Sequence, residues 1–378
     1  MSTELTEQQA FLALNALPGL GPIVLNRLLK QFGGDPRAAL AADARAQKPA
    51  GAVPPAVIAA IREGRTHFDP AKEEAKMAKG GVAFLTPAQP GYPPLLCEIN
   101  DPPIGLYRKG SYRFDQPCIA IVGSRRATLY GQGVAKRLGA ELAGRGFCVV
   151  SGLARGIDTA AHEGALSVGG RTAAVLGTGI DIIFPPENLG LYRRIAEEGA
   201  VLSEFPLGRP ADRDSFPMRS RVVSGICEAV VVVESDPWGG AMTTARFAGE
   251  QGRLIFAVPG RIDQSTSSGC HQLIRDGATL LTGVQDILQE IQYLGGRRPA
   301  PVAARERAGD ALAALGPEES KVMDCLRGGS SPDPSGVAAK TGLTASGIEG
   351  VLAQLESKGL VSKRMDGTLE AAGREGLS

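Results

Sequence analysis

Cys118-Ile119-Ala120-Ile121-Val122-Gly123-Ser124-Arg125-Arg126-Ala127-Thr128 decides the fold. A short unbroken apolar run suits a strand of a parallel sheet covered on both faces, and it ends in a glycine, a hydroxyl and two guanidinium groups. Open parallel sheets place their ligands at that carboxyl end. Working outward, similar apolar runs recur at 147–150, 172–176, 200–203, 229–233, 254–258 and 278–281. Between most of them lie roughly 10–20 residues of amphipathic helix, the signature of βαβ units. The expected fold class is therefore α/β, a Rossmann-like doubly wound parallel sheet.

The flanks read differently. Residues 8–66 are Ala/Leu-rich with helical periodicity around Leu17-Pro18-Gly19-Leu20-Gly21, which suggests a helix-hairpin-helix within a SAM-like bundle. The N–H groups of Gly19 and Gly21 could face a phosphate there, or the motif is only a tight interhelical turn. Gly295-Gly296-Arg297-Arg298-Pro299-Ala300-Pro301 has linker composition. Beyond it, helical segments at 317–327, 335–341 and 345–358 precede a hairpin around Asp366-Gly367, the order of a winged helix. The expected domains are a helical one at 1–75, the sheet domain at 76–292, a linker at 293–315 and the winged helix at 316–378.

Composition narrows the classes. The 41 Lys+Arg against 40 Asp+Glu give a net charge of +1, so an anion site must be local rather than a bulk field. Gly is 50 of 378 residues against an ordinary share of about 7%, with no collagen-like period, which points to glycines in ligand-facing turns. The first residues are polar and acidic rather than signal-like, and the apolar runs are too short to span a bilayer, so a soluble cytoplasmic chain is expected. The six cysteines form no C-x-x-C pair and read as reduced, mostly buried thiols.

Four strand-to-helix turns carry the candidate chemistry. They are Gly123-Ser124-Arg125, then Gly152 through Arg155 and Gly156 to Asp158, then Gly177-Thr178-Gly179, and Gly239-Gly240 with Thr243. Their main-chain N–H groups and helix N-termini suit phosphate. A basic segment at 209–221 adds Arg209, Arg213, Arg219 and Arg221 around Phe216. Arginine forks pair phosphate oxygens and an aromatic offers a base a stacking face, whereas a salt-bridged surface loop anchored by Phe216 is the plainer alternative. A dinucleotide cofactor fits poorly, because no G-x-G-x-x-G turn follows the first core strand and the second ends in Ser151-Gly152 rather than a ribose-binding carboxylate. No Walker lysine motif occurs either, and no cofactor or metal is expected.

At these residues the chain closely resembles the DNA-processing protein A (DprA/Smf) family. The resemblance rests on Ile121-Val122-Gly123-Ser124-Arg125, the run from Ser151 to His162, Ala174-Val175-Leu176-Gly177, Ser203-Glu204-Phe205-Pro206, Phe216-Pro217-x-Arg219-x-Arg221, Thr243-Thr244-Ala245 and Ala257-Val258-Pro259-Gly260. It covers essentially 80–290 and implies an extended Rossmann-like doubly wound parallel sheet that binds and protects single-stranded DNA, with loading of RecA recombinase in natural transformation. The glycine loops and arginines, which suit phosphate rather than base edges, add an expectation of sequence-independent binding. It carries Gly123, Ser124, Arg125, Gly152, Arg155, Gly156, Arg213, Phe216, Arg219 and Arg221 over as DNA contacts. Ser220 and Gly240 depart from the family's usual Asn and Ser. The resemblance also implies a homodimer through the sheet domain, expected at Leu273, Ile274, Leu280, Leu281, Ile287 and Leu288.

Two other classes compete. Pro237 to Arg246 is reminiscent of a phosphoribohydrolase loop, but Arg246 stands where the glycosidic chemistry needs a Glu. A pure scaffold is the third class, with DNA binding lost through Ser220. The last winged-helix helix carries Glu349 and Glu356 against Lys358, a poor match to a DNA backbone, so protein contacts are expected of that module.

Overall fold

The computed structural model describes residues 5–42, 53–212, 215–293, 315–327, 333–357, 361–363 and 369–371. The chain divides into two compact units, Met1–Pro299 and Ala300–Ser378.

In the first unit, α1 (Glu7–Asn15), α2 (Pro22–Gln31), α3 (Pro36–Leu40), α4 (Pro55–His67) and α5 (Pro70–Gly80) precede two edge strands, β1 (Val82–Leu85) and β2 (Leu106–Lys109). The doubly wound core follows as β3 (Cys118–Val122), α6 (Leu129–Gly144), β4 (Cys148–Ser151), α7 (Ile157–Ser167), β5 (Thr172–Leu176), α8 (Leu189–Glu198) and β6 (Ala200–Ser203). It continues through α9 (Ser215–Ile226), β7 (Ala229–Val232), α10 (Gly240–Glu250), β8 (Leu254–Ala257), α11 (Ser265–Arg275), β9 (Thr279–Leu280) and α12 (Val284–Tyr293).

Among the described residues these strands form one nine-stranded sheet ordered β1-β2-β6-β5-β4-β3-β7-β8-β9. Strands β3 to β9 pair in parallel, while β1 and β2 run antiparallel at one edge. Every residue of β3, β4, β5, β6 and β7 is buried, as a sheet covered on both faces demands. Alternate side chains divide between the layers. Ile119, Ile121, Val149 and Val231 pack with Leu138 of α6, Ala161 of α7 and Ile287 of α12, whereas Ala120, Val122, Val150 and Val232 pack with Val223 of α9, Ala245 of α10 and Leu273 of α11. The chain winds outward from β3 in one direction and restarts at β7 in the other, so the topological switch lies between β3 and β7.

The N-terminal helices lie in the same unit as the sheet. Leu14, Leu25, Leu28 and Ile61 form a core of their own, but Leu12 and Met77 join Phe84 and Tyr107 of the antiparallel edge. Glu73 of α5 fixes this contact by accepting from Tyr107 Oη at 3.0 Å and from the Leu207 N–H at 2.8 Å.

The second unit contains α13 (Pro317–Arg327), α14 (Pro334–Thr341), α15 (Ala345–Ser357) and an antiparallel pair, β10 (Val361–Lys363) and β11 (Leu369–Ala371). Val322, Leu326, Val337, Ile348, Leu352 and Leu355 form its core. Glu349 and Glu356 are exposed on α15. The expected linker at 293–315 lies almost wholly outside the described residues, as does Arg364 of the expected wing.

Candidate nucleic-acid interface

A cleft of about 460 Å³ opens at the switch point, beyond the carboxyl ends of β3 and β7. Gly123, Ser124 and Arg125 enter from β3, Phe216, Arg219 and Ser220 from α9, and Gly239, Gly240 and Thr243 from the start of α10. The four glycine turns converge because parallel strands deliver every following loop to the same rim.

Arg125 is exposed and its guanidinium lies 4.6 Å from the centroid of the half-buried Phe216 ring, within cation–π range. This stacked pair is the ridge between the main cleft and a smaller hollow lined by Gly152, Arg155, Gly177 and Phe184. The Phe184 ring stands 6.1 Å from that of Phe216, so two aromatics lie in sequence along the rim. Phe184 was not among the expected contacts. Its proximity depends on the fold bringing the β5 loop beside α9, and no local signal reveals that.

The floor is a buried ion pair. Arg219 places Nη1 3.8 Å from Asp158 Oδ2 and 3.3 Å from the Val175 carbonyl oxygen, and its side chain is 10% exposed. Its Nε has no partner among the described residues. Gly152 makes room for the guanidinium, since a Cβ would stand 0.9 Å from Arg219 Nη1 and the arginine would have to move. Asp158 accepts from the N–H groups of Gly152 at 3.1 Å and Ala154 at 3.4 Å, which ties the turn after β4 to the helix it opens. Burial pushes the Asp158 carboxyl up, opposed by Arg219 and these N–H donors, and the same burial pushes the Arg219 guanidinium down. Gly156 has φ +76°, and a Cβ there would stand 2.3 Å from the Ser124 carbonyl oxygen, so the first two loops seat directly on each other.

The start of α10 is chemically different. Gly239 caps it without a side-chain hydrogen bond and no acid lies in the first turn, which leaves N–H donors beside Thr243. Trp238, 97% exposed, stands next to this turn but does not line the cleft.

Several expected contacts are placed elsewhere. Arg221 is 2% exposed and faces away from the cleft. Its Nη2 donates to Glu204 Oε1 at 2.6 Å, its Nη1 to the Asp101 carbonyl oxygen at 2.6 Å, and its Nε lies 3.3 Å from Asp101 Oδ2. The cause is helical: residues two apart lie about 200° apart around a helix, so α9 turns Phe216, Arg219 and Ser220 to one side and Arg221 to the other. Ser220 lines the cleft but its hydroxyl donates to the Phe216 carbonyl oxygen at 3.1 Å. Gly179 supports the wall, donating to the Arg209 carbonyl oxygen at 2.8 Å with Pro206 and Gly208 packed against it. Arg155 reaches the smaller hollow and is hydrogen-bonded to Glu187, which holds the Glu187 carboxyl below its usual range. Arg213 lies outside the described residues.

The family model for DNA recombination-mediator protein A matches residues 83–292. Protein Smf from Synechocystis sp. is 38% identical over 296 residues, covering 76% of this chain and 73% of its own. DNA processing protein DprA from Streptococcus pneumoniae is 41% identical over 203 residues, covering 53% of this chain and 72% of its own. The X-ray structure of the Streptococcus pneumoniae DNA processing protein A has a TM-score of 0.66 at 33% identity, covering 76% of this chain and 99% of that one. A Helicobacter pylori DNA processing protein A structure, described for its unique single-stranded DNA binding mode, has a TM-score of 0.51 at 29% identity over 56% of this chain and 96% of that one. With the family model spanning more than half of its residues, this chain belongs to the DNA recombination-mediator protein A family, the DprA and Smf proteins.

Proposed function

We propose that this protein binds and protects single-stranded DNA without sequence preference, the strand crossing the carboxyl rim of the sheet. The observation that carries the reading is the Arg125–Phe216 stack at the switch point, which offers a guanidinium to a phosphate and an aromatic face to a base at one place. The lining supports the lack of sequence preference. Its donors are main-chain N–H groups, arginines and hydroxyls, and among the described residues it includes no Asn or Gln, the side chains that read adenine edges in pairs of hydrogen bonds. Competition between single-stranded and duplex oligonucleotides of equal length for the full chain tests this, with the single strand expected to win.

The family resemblance extends the reading to RecA loading in natural transformation, and to a homodimer. For the dimer, Leu273, Leu281, Ile287 and Leu288 are consumed by the sheet's own core, which leaves the half-buried Ile274 and Leu280, 45% exposed on the edge strand β9. Light scattering of wild type and Leu280→Arg at micromolar concentration tests the contact. The second unit is assigned to protein contacts, since Glu349 and Glu356 occupy the exposed side of α15. Truncation after Pro299 should then lower single-strand affinity less than about threefold. A binding rather than catalytic role fits Arg246, whose Nη1 pairs with Glu250 at 2.7 Å on the exposed face of α10 where a phosphoribohydrolase would need a carboxylate.

A further inference from the structure

Glu234 follows β7 and reaches across the switch point to hold both ends of the loop that carries Arg125. Its main-chain carbonyl accepts from the Ser124 N–H at 2.7 Å. Its carboxylate accepts from the Thr128 N–H at 2.9 Å and from the Thr128 hydroxyl at 2.6 Å. Between those anchors Arg125 and Arg126 are exposed, while Glu234 itself is 2% exposed. The carboxylate packs into the first turn of α6 so closely that a Cβ at Gly131 would stand 2.4 Å from Glu234 Cδ. It therefore fills the seat at the helix N-terminus that dinucleotide-binding folds give to a pyrophosphate, while the Arg125 guanidinium of the same loop lies over the Phe216 ring.

Resting on the single-strand reading of the cleft, we propose that Glu234 is a positioning residue for DNA binding, holding the Arg125 loop in the conformation that stacks on Phe216. The sign of the effect separates this from simple charge. A carboxylate beside a phosphate site repels it, so if charge were its only influence, removing Glu234 would strengthen binding. If it positions the loop, its removal weakens binding, and only while Arg125 is present.

The test is a double-mutant cycle on the full chain with a fluorescent oligothymidylate. Glu234→Ala is expected to weaken binding about fivefold and to change nothing further in an Arg125→Ala background, because the two residues act as one unit. Gly131→Ala provides a second route, since it keeps the carboxylate but displaces it while favouring the helix, and it should weaken binding in the same Arg125-dependent way. Unchanged or tighter binding by Glu234→Ala, or an equal loss with and without Arg125, would overturn the proposal. If Glu234→Ala does not fold, Gly131→Ala decides by the same criteria. No binding by the unsubstituted chain would instead overturn the single-strand reading and the proposal with it, and that failure is visible in the wild-type arm alone.

Discussion

The Arg125 guanidinium lies over the Phe216 ring, 4.6 Å from its centroid, although the two residues arrive from opposite sides of β4 in the chain. One side chain is exposed and the other half-buried, so each keeps a surface for a ligand.

Phe216→Ala should weaken single-strand binding roughly five- to hundredfold, since stacking a base on an aromatic is worth about 1–3 kcal/mol. Titration by fluorescence anisotropy beside a thermal melt checks it. An unchanged affinity per folded molecule with a lowered melting temperature would make the ring a packing anchor only.

Arg221→Ala should do the opposite. Glu204 and Arg221 form a buried pair, and removing one partner strands the other; burial already pushes the Glu204 carboxyl up against the pull of Arg221. The expected cost is about 3–5 kcal/mol in denaturant melts, with little change in affinity per folded molecule. A loss of affinity at unchanged stability would return Arg221 to the interface.

Trp238, the only tryptophan of the chain, is a built-in reporter beside the uncapped start of α10. Single-stranded DNA is expected to quench its emission if the strand passes over that turn. Emission that does not change at saturating DNA would place Trp238 off the track.

His162 sets a pH dependence of stability. It is fully buried, its Nδ1 lies 2.7 Å from Thr172 Oγ1, and burial pushes its pKa from 6.5 to about 3. The unfolded chain therefore binds a proton that the folded chain refuses throughout that window, so stability is full above about pH 6.5 and falls as pH drops towards 3. Between about pH 7.5 and about pH 5 the loss from this residue is roughly 2 kcal/mol. His162→Gln should show a smaller fall over the same range, and an identical fall would remove His162 as the cause.

The parallel core was legible because apolarity alone marks it: the runs at 118–122, 172–176 and 200–203 coincide with β3, β5 and β6. The antiparallel edge was not. In Leu106-Tyr107-Arg108-Lys109 only the first two residues are buried, a pattern too short to separate from a loop. The turns of the site could be read because glycine and arginine types are themselves the signal. Which arginines face the cleft could not, because 209–221 has no strong periodicity and Arg221 is diverted by two acids distant in sequence, Asp101 and Glu204. Glu234 and Phe184 meet Thr128 and Phe216 across the sheet rim, contacts that exist only once strand order is known.

The most direct test of the central claim is the salt dependence of single-strand binding by the full chain. If the rim neutralises about three to five phosphates, log K should fall with log salt at a slope of roughly −2 to −4, and Arg125→Ala should make the slope shallower by about 0.7. A flat salt response, or an affinity for duplex equal to or above that for the single strand, would contradict the account.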